Sequence, residues 1–132
     1  MKRVLIVDDV PEIRRLLRIC AMHHFEVHEA ANAEDALLAV KRAPPDLMVL
    51  DIGLSGPMDG LDLLAVLRKD TTLRGMRVVI LSGRGLEGDD VGLPVDAYFT
   101  KPFRPMAIMD CIERMLASTE ASPSTFNPPP AP

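Results

Sequence analysis

The chain has 132 residues, a length typical of one domain with one hydrophobic core. Apolar residues make up 48% of the chain but aromatic residues only 4%, and Trp is absent, so we expect a core of aliphatic side chains. The formal net charge of -4 gives no electrostatic footprint for nucleic acid, which would require a basic face, and argues against a surface drawn to anionic membranes.

Cysteine content and hydropathy indicate a cytoplasmic protein. Cys20 and Cys111 are too few for a secreted disulfide scaffold, and both lie on apolar stripes of expected helices. The apolar run near the N-terminus is too short for a signal peptide. No stretch approaches the roughly 18 apolar residues of a membrane span. We therefore expect a soluble protein with core thiols in a reducing cytoplasm.

The first part of the chain alternates short apolar runs with amphipathic stretches. Val4–Val7 predicts a strand that ends at Asp8 and Asp9. The i, i+3, i+4, i+7 spacing then predicts a helix with one apolar face, formed by Ile13, Leu16, Leu17 and Cys20. A second strand is expected at about Phe25–Glu29. Asn32 caps the next predicted helix, whose inner face is Ala33, Ala36, Leu37 and Val40.

The middle of the chain continues this alternation. Leu47–Leu50 predicts a third strand that ends in Asp51. After a loop with glycine and proline, Asp59 caps a third helix, which carries Leu61, Leu64 and Leu67. Val78–Leu81 predicts the fourth strand, which ends in Ser82.

The last part of the chain predicts a fifth strand and a final helix. The strand spans residues 96–100 and ends at Lys101. The helix has one apolar face, formed by Ile108, Cys111, Ile112 and Met115. Between the fourth and fifth strands the segment is rich in glycine, which disfavours helix, so we expect a short or irregular fourth helix there.

Strands that are continuously apolar and alternate with helices indicate a parallel sheet covered on both faces. Five such units predict a flavodoxin-like (βα)5 α/β fold, a doubly wound parallel sheet with strand order 2-1-3-4-5. Residues 1–117 would form this domain. Residues 118–132 are rich in Ser and Pro, so we expect a disordered tail and not an output domain.

Polar residues follow four of the five predicted strands: Asp8 and Asp9, Asp51, Ser82 and Lys101. In an open parallel sheet these strand ends meet at one edge, where the order reverses between strands one and three. Singly, Asp9 and Ser82 could be helix caps and Lys101 a surface lysine. Separate roles do not explain why four strands end in residues suited to one site.

Three carboxylates at one edge repel each other unless a proton or a cation neutralises them. Oxygen ligands without a nearby His or Cys favour a hard ion, and Mg²⁺ suits such a shallow site. Lys101 adds a second positive charge. The set is equipped for phosphoryl transfer, in which a carboxylate can hold the group as an aspartyl phosphate.

Four motifs resemble the signature set of response-regulator receiver domains of two-component signalling: Val-Asp8-Asp9, Val-Leu-Asp51, Leu-Ser82-Gly and Tyr98-Phe-Thr-Lys101-Pro102-Phe103. The resemblance covers roughly residues 2–117. It implies a single-domain, chemotaxis-regulator-like switch that is not a conventional enzyme. The phosphodonor would be a histidine kinase or a histidine phosphotransfer domain, and the downstream partner a protein that the sequence does not identify.

The resemblance also implies a role for each site residue. Asp51 would accept the phosphoryl group. Asp9, Asp51 and the backbone carbonyl of Gly53 would bind Mg²⁺, with Asp8 acting through a bound water. The loop departs from the family pattern, because Ser55 stands where members often have Pro and the loop is one residue longer than usual.

The remaining roles concern the phosphorylated state. Lys101 would contact the phosphate, and Pro102 would follow a cis peptide bond that aims Lys101 into the pocket. Ser82 would donate a hydrogen bond to a phosphate oxygen, and Tyr98 would then change rotamer. Such a change couples local charge to a surface, as in other two-state switches.

Two other functions compete with this prediction. The first is a receiver-like binding module that works without phosphorylation, although such a module would not need the whole set of polar residues. The second is a phosphatase of the haloacid-dehalogenase type, whose nucleophile normally follows the first strand in an Asp-x-Asp arrangement. Here Asp8 and Asp9 are contiguous, which disfavours the phosphatase.

Overall fold

A computed structural model of the protein describes residues 1–83 and 95–118. The strands are β1 (Arg3–Val7), β2 (Glu26–Ala30), β3 (Leu47–Asp51), β4 (Arg77–Ser82) and β5 (Ala97–Thr100). The α-helices in the described residues are α1 (Pro11–Ala21), α2 (Ala33–Arg42), α3 (Gly60–Lys69) and α4 (Pro105–Ser118), and a 3-10 turn spans Thr71–Leu73.

The strands form one sheet in the order β2-β1-β3-β4-β5, with every pair parallel. The predicted flavodoxin-like fold and strand order are thereby confirmed. The helix expected between β4 and β5 falls on residues 84–94, and the tail on residues after 118, so both predictions lie outside the described residues. None of the helices in the described ranges is long and apolar enough to cross a bilayer.

Alternate residues of the central strands build two separate cores, because successive side chains of a strand point to opposite faces. The α2/α3 core takes Leu5, Val7, Met48, Leu50, Val78 and Ile80 from the strands. The α1/α4 core takes Val4, Ile6, Leu47, Val49, Val79 and Leu81. Every residue of β3 is buried, which accounts for its uninterrupted apolar sequence up to Asp51.

Local side-chain bonds set where two helices begin. The Asn32 side chain accepts a hydrogen bond from the Asp35 amide at 2.7 Å, at the start of α2. Asp59 and Asp62 form a reciprocal capping box at the start of α3. Both predicted caps are confirmed. Helix α1 instead begins with Pro11 after Val10, and no side chain caps it.

One predicted helix face, that of α1, needs correction, whereas the three leucines predicted in α3 all pack in or against the α2/α3 core. Leu16 was predicted on the buried face of α1 but is 41% exposed, because α1 turns Leu17 and Ala21 onto the sheet. In α3 the buried leucines include Leu63, while Leu61 is only partly buried. The apolar spacing of one short helix does not determine which of two adjacent leucines is buried.

Candidate functional site

The polar residues predicted to share a site lie at the carboxyl edge of the sheet. Asp8 directly follows β1, and its amide donates to the Ala30 carbonyl at 3.2 Å. Asp51 is the last residue of β3 and pairs with Leu81. Ser82 is the last residue of β4 and pairs with Thr100. Parallel pairing therefore brings these strand ends level with one another, as the sequence predicts.

Three carboxylates form what we call the acid cluster: Asp8, Asp9 and Asp51. One oxygen from each lies within 4.8 Å of the others. Asp8 is completely buried, Asp51 is 4% exposed and Asp9 is partly exposed. Negative charges at this spacing, two of them shielded from water, repel strongly unless positive charge compensates them.

Asp8 is the most confined member of the acid cluster. Its Oδ1 accepts a hydrogen bond from the Val10 amide at 2.9 Å. Its Oδ2 lies 3.1 Å from Lys101 Nζ, an ion-pair contact, but accepts no hydrogen bond of good geometry from the described residues. Burial raises the pKa of the Asp8 carboxyl, and the charge of Asp51 adds to this effect against the lowering influence of Val10 and Lys101.

Lys101 bridges two members of the acid cluster. Its Nζ lies 3.1 Å from Asp8 Oδ2 and 3.2 Å from Asp51 Oδ2. Burial alone lowers the pKa of the ammonium, but the bond to Asp8 and the charges of Asp51 and Asp8 outweigh it, so the pKa is raised. Lys101 therefore carries its positive charge throughout the neutral range. Its amide donates to the Ser82 carbonyl at 2.6 Å, and its bond to Pro102 is cis, the isomer that the resemblance implied.

Asp51 is held by contacts to both of its carboxylate oxygens and by close packing of its backbone. Oδ1 accepts from the Gly53 amide at 2.9 Å, and Oδ2 accepts from Lys101 at 3.2 Å. A Cβ added at Gly60 would stand 2.6 Å from the Asp51 carbonyl oxygen and 2.5 Å from Ile52 Cα. Only glycine lets the first residue of α3 approach the end of β3 this closely.

Asp9 is more exposed than Asp8 and Asp51, and its side chain is hydrogen-bonded to Ser55 in the loop between β3 and α3. Its Oδ2 accepts from Ser55 Oγ at 3.1 Å and is 3.4 Å from the Ser55 amide. Asp9 is not the cap of α1, because Val10 is the N-cap residue and, within the described residues, its own side chain makes no capping hydrogen bond. Sequence reasoning noted Ser55 only as a departure from a family pattern and did not connect it to Asp9.

The two predicted switch residues occupy different surroundings. Ser82 is 2% exposed at the end of β4, beside the strand that carries Asp51. Tyr98 pairs with Ile80, two positions before Ser82, and packs partly buried against the α2/α3 core. The structure thus joins Asp8, Asp51 and Lys101 through direct contacts and places an Asp9 oxygen within 4.8 Å of the other two carboxylates. Ser82 lies on the same edge, and Tyr98 is set back in β5.

A missed residue, Arg14, supports the site from α1. Its guanidinium donates to the Asp8 carbonyl at 2.7 Å and pairs with Glu29 at 3.3 Å. Arg14 lies in α1, and no sequence motif singled it out. Its contact fixes the backbone of the buried carboxylate.

The acid cluster fits a small hard cation. All of its donors are carboxylate oxygens, and among the described residues no His or Cys joins the group. The buried Asp8 Oδ2 without a good hydrogen bond is an oxygen that a cation or its bound water would satisfy. Mg²⁺ prefers oxygen ligands of this kind and retains water on its open side.

The chain matches the family model of the response regulator receiver domain over residues 4–113. It is 34% identical over 127 residues to the DNA-binding response regulator MtrA of Mycolicibacterium smegmatis, covering 93% of this chain and 54% of that protein. It is 39% identical over 107 residues to the transcriptional regulatory protein KdpE of Mycobacterium tuberculosis, covering 78% and 46%. The chain spans about half the length of the curated relatives it matches.

Solved structures agree with the sequence relatives. A CheY-like response regulator receiver domain from Methanospirillum hungatei superposes with a TM-score of 0.79 at 28% identity, covering 91% of this chain and 97% of that one. A sensor protein from Polaromonas sp. superposes with a TM-score of 0.79 at 29% identity, covering 89% and 97%.

Proposed function

The chain belongs to the response regulator receiver domain family, and on that premise we propose that it is a phosphoacceptor modified on Asp51. The phosphodonor is a phosphohistidine of a histidine kinase or of a histidine phosphotransfer domain. The observation that carries the proposal is the bridge from Lys101 Nζ to Asp51 Oδ2 at 3.2 Å, beside an acid cluster that fits Mg²⁺. This arrangement places a carboxylate nucleophile directly beside the positive charge of Lys101.

In the proposed reaction an Asp51 carboxylate oxygen attacks the phosphorus of the phosphohistidine. An O–P bond forms and the P–N bond breaks, and its electron pair stays on the imidazole nitrogen. Lys101 is placed to neutralise negative charge on the transferring phosphoryl oxygens. The Gly53 amide holds Asp51 Oδ1 and orients the carboxylate. Positioning and charge neutralisation dominate catalysis of this kind of transfer.

Asp9, Asp51 and the Gly53 carbonyl are the proposed Mg²⁺ ligands, with Asp8 acting through a water. Bound there, the ion supplies positive charge against the carboxylates and the incoming phosphoryl group. The close spacing of the acid cluster supports this assignment, as does the buried Asp8 Oδ2, which pairs with Lys101 but accepts no hydrogen bond of good geometry from the described residues.

Phosphorylation would be transmitted through Ser82 and Tyr98. Ser82, buried at the end of the neighbouring strand, would donate to an oxygen of the phosphoryl group once it is attached. Tyr98 would then change rotamer against the α2/α3 core and alter a surface that a protein partner reads. The function is that of a signalling switch, in keeping with relatives that are response regulators.

Incubation with a small acyl phosphate, with and without Mg²⁺, tests the proposal by intact mass. We expect a Mg²⁺-dependent, base-labile gain of one phosphate that is absent in Asp51→Asn. Absence of any gain would instead favour the phosphorylation-independent binding module. Turnover of many phosphoesters would favour the phosphatase, although here the candidate nucleophile ends the third strand and not the first.

A further inference from the structure

Two loops meet at Asp9, and the shorter of the two hydrogen bonds between them comes from the side chain at position 55. Asp9 lies between β1 and α1, whereas Ser55 lies between β3 and α3, 46 positions later. The Ser55 hydroxyl and amide both point to the same oxygen, Asp9 Oδ2, at 3.1 and 3.4 Å. Within residues 1–83 and 95–118, these are the hydrogen bonds that the Asp9 carboxylate accepts.

Asp9 needs such a restraint more than its neighbours do. Asp8 and Asp51 are buried and held by backbone amides and Lys101, whereas Asp9 is partly exposed. Repulsion from two buried carboxylates drives a mobile third one outward, toward water. The bonds from Ser55 oppose that motion and keep an Asp9 oxygen within 4.8 Å of the other two.

We propose that Ser55 is a positioning residue for the metal site, which holds Asp9 in place before the cation arrives. This inference rests on the proposed Mg²⁺ site. A carboxylate oxygen has two lone pairs, and a carboxylate has two oxygens, so a bond to Ser55 leaves capacity for a cation. Ser55 lowers the cost of ordering Asp9 on binding, which is the general effect of a hydrogen-bonding partner behind a metal ligand.

The backbone after Ser55 favours this contact. Gly56 adopts a φ of 112°, a conformation that side chains rarely take, and the chain turns there immediately after the serine. The Ser55 side chain is exposed, so its hydroxyl plays no part in packing the hydrophobic core. Substitution at position 55 should therefore act on Asp9 and leave the fold unchanged.

The test is a titration of the unphosphorylated protein with MgCl₂, in which binding is measured by calorimetry or by the shift in the thermal midpoint of unfolding. Ser55→Ala should weaken the apparent affinity for Mg²⁺ by about tenfold, the lower end of the usual range, because the Ser55 amide bond remains. Ser55→Thr keeps a hydroxyl and should stay within about twofold of the natural chain. Thr72→Ala is the matched control, because Thr72 Oγ1 makes the same kind of bond to the Asp70 side chain at 2.6 Å, outside the site.

The outcomes separate this inference from the proposed function. Equal or tighter Mg²⁺ binding by Ser55→Ala, when the natural chain binds and Asp9→Asn does not, overturns the role of Ser55 alone. Weaker Mg²⁺ binding by Ser55→Ala together with unchanged binding by Asp9→Asn also overturns it, because Ser55 then does not act through Asp9. If the natural chain itself binds no Mg²⁺, the metal site and the role of Ser55 fail together. Urea unfolding in EDTA confirms that each variant is folded.

Discussion

Replacing Lys101 with Met should destabilise the metal-free protein by an amount that depends on pH. The Nζ atom contacts Asp8 Oδ2 at 3.1 Å and Asp51 Oδ2 at 3.2 Å, both carboxylates being buried. At these distances each gross attraction is about 5 kcal/mol with an effective dielectric constant of 20. The net loss of unfolding free energy is smaller than this attraction for two reasons. The Lys101 side chain is 21% exposed, so water screens its charge, and the variant does not have to desolvate an ammonium group on folding. We expect a loss of about 2–3 kcal/mol at pH 8.

The pH dependence follows from Asp8. Burial already raises the pKa of its carboxyl in the folded protein, and without Lys101 a lowering influence is removed, so the pKa rises further. The folded variant then binds a proton at a pH where the unfolded chain does not. Stability of the variant therefore increases as pH falls through the folded-state pKa and levels off below about 3.9, the value of an unperturbed Asp. The loss relative to the natural chain should be smaller at pH 5 than at pH 8.

Urea unfolding in EDTA at both pH values measures this difference. Lys69→Met is the control, since Lys69 is exposed at the end of α3 and its replacement should change the unfolding free energy by less than about 0.5 kcal/mol. A Lys101→Met variant whose loss is below that level, or is equal at both pH values, would refute the argument that Lys101 compensates the buried carboxylates.

Two further predictions concern how α3 is joined to β3, the strand that ends in Asp51. Gly60→Ala should cost about 1–3 kcal/mol in urea unfolding and slow phosphorylation by acyl phosphate, because its Cβ would overlap the Asp51 carbonyl and Ile52 Cα. Gly75→Ala, whose Cβ would meet nothing within 4 Å, should do neither; equal effects of the two would contradict the steric reason. Asp59→Ala should cost about 1 kcal/mol by removing the capping box, with the rate of phosphorylation little changed, and a neutral result in unfolding would mean that the cap contributes nothing.

The fold could be predicted because its signals are local and repeated. Uninterrupted apolar runs such as Leu47–Leu50 indicate strands buried on both faces, and the order of elements then fixes the parallel topology. The site could be predicted for the same reason, because parallel strands end at one edge and Asp8, Asp51 and Ser82 each end or directly follow a strand. These inferences need only chain order.

Other features depend on distances that chain order does not contain. Asp8 and Asp9 are adjacent and chemically identical in the sequence, yet one is buried and the other partly exposed and bonded to Ser55. Loop conformation decides that difference, and loops carry no periodic pattern. Leu16 and Leu17 were both placed inward because a single short helix leaves its rotation about the axis undetermined within a residue.

The strict alternation of β1, β3 and β4 between the two cores also limits how the length of this protein can change. Deleting one residue within β3 would send every later side chain of that strand to the opposite core and would withdraw Asp51 from the edge of the sheet. A residue added between Ser55 and Asp59 does not change the register of β3 and leaves the contacts of Gly53 and Ser55 with the acid cluster in place. Insertions and deletions that preserve the site should therefore be confined to loop positions after Ser55, where changes of length leave Asp51 at the edge of the sheet.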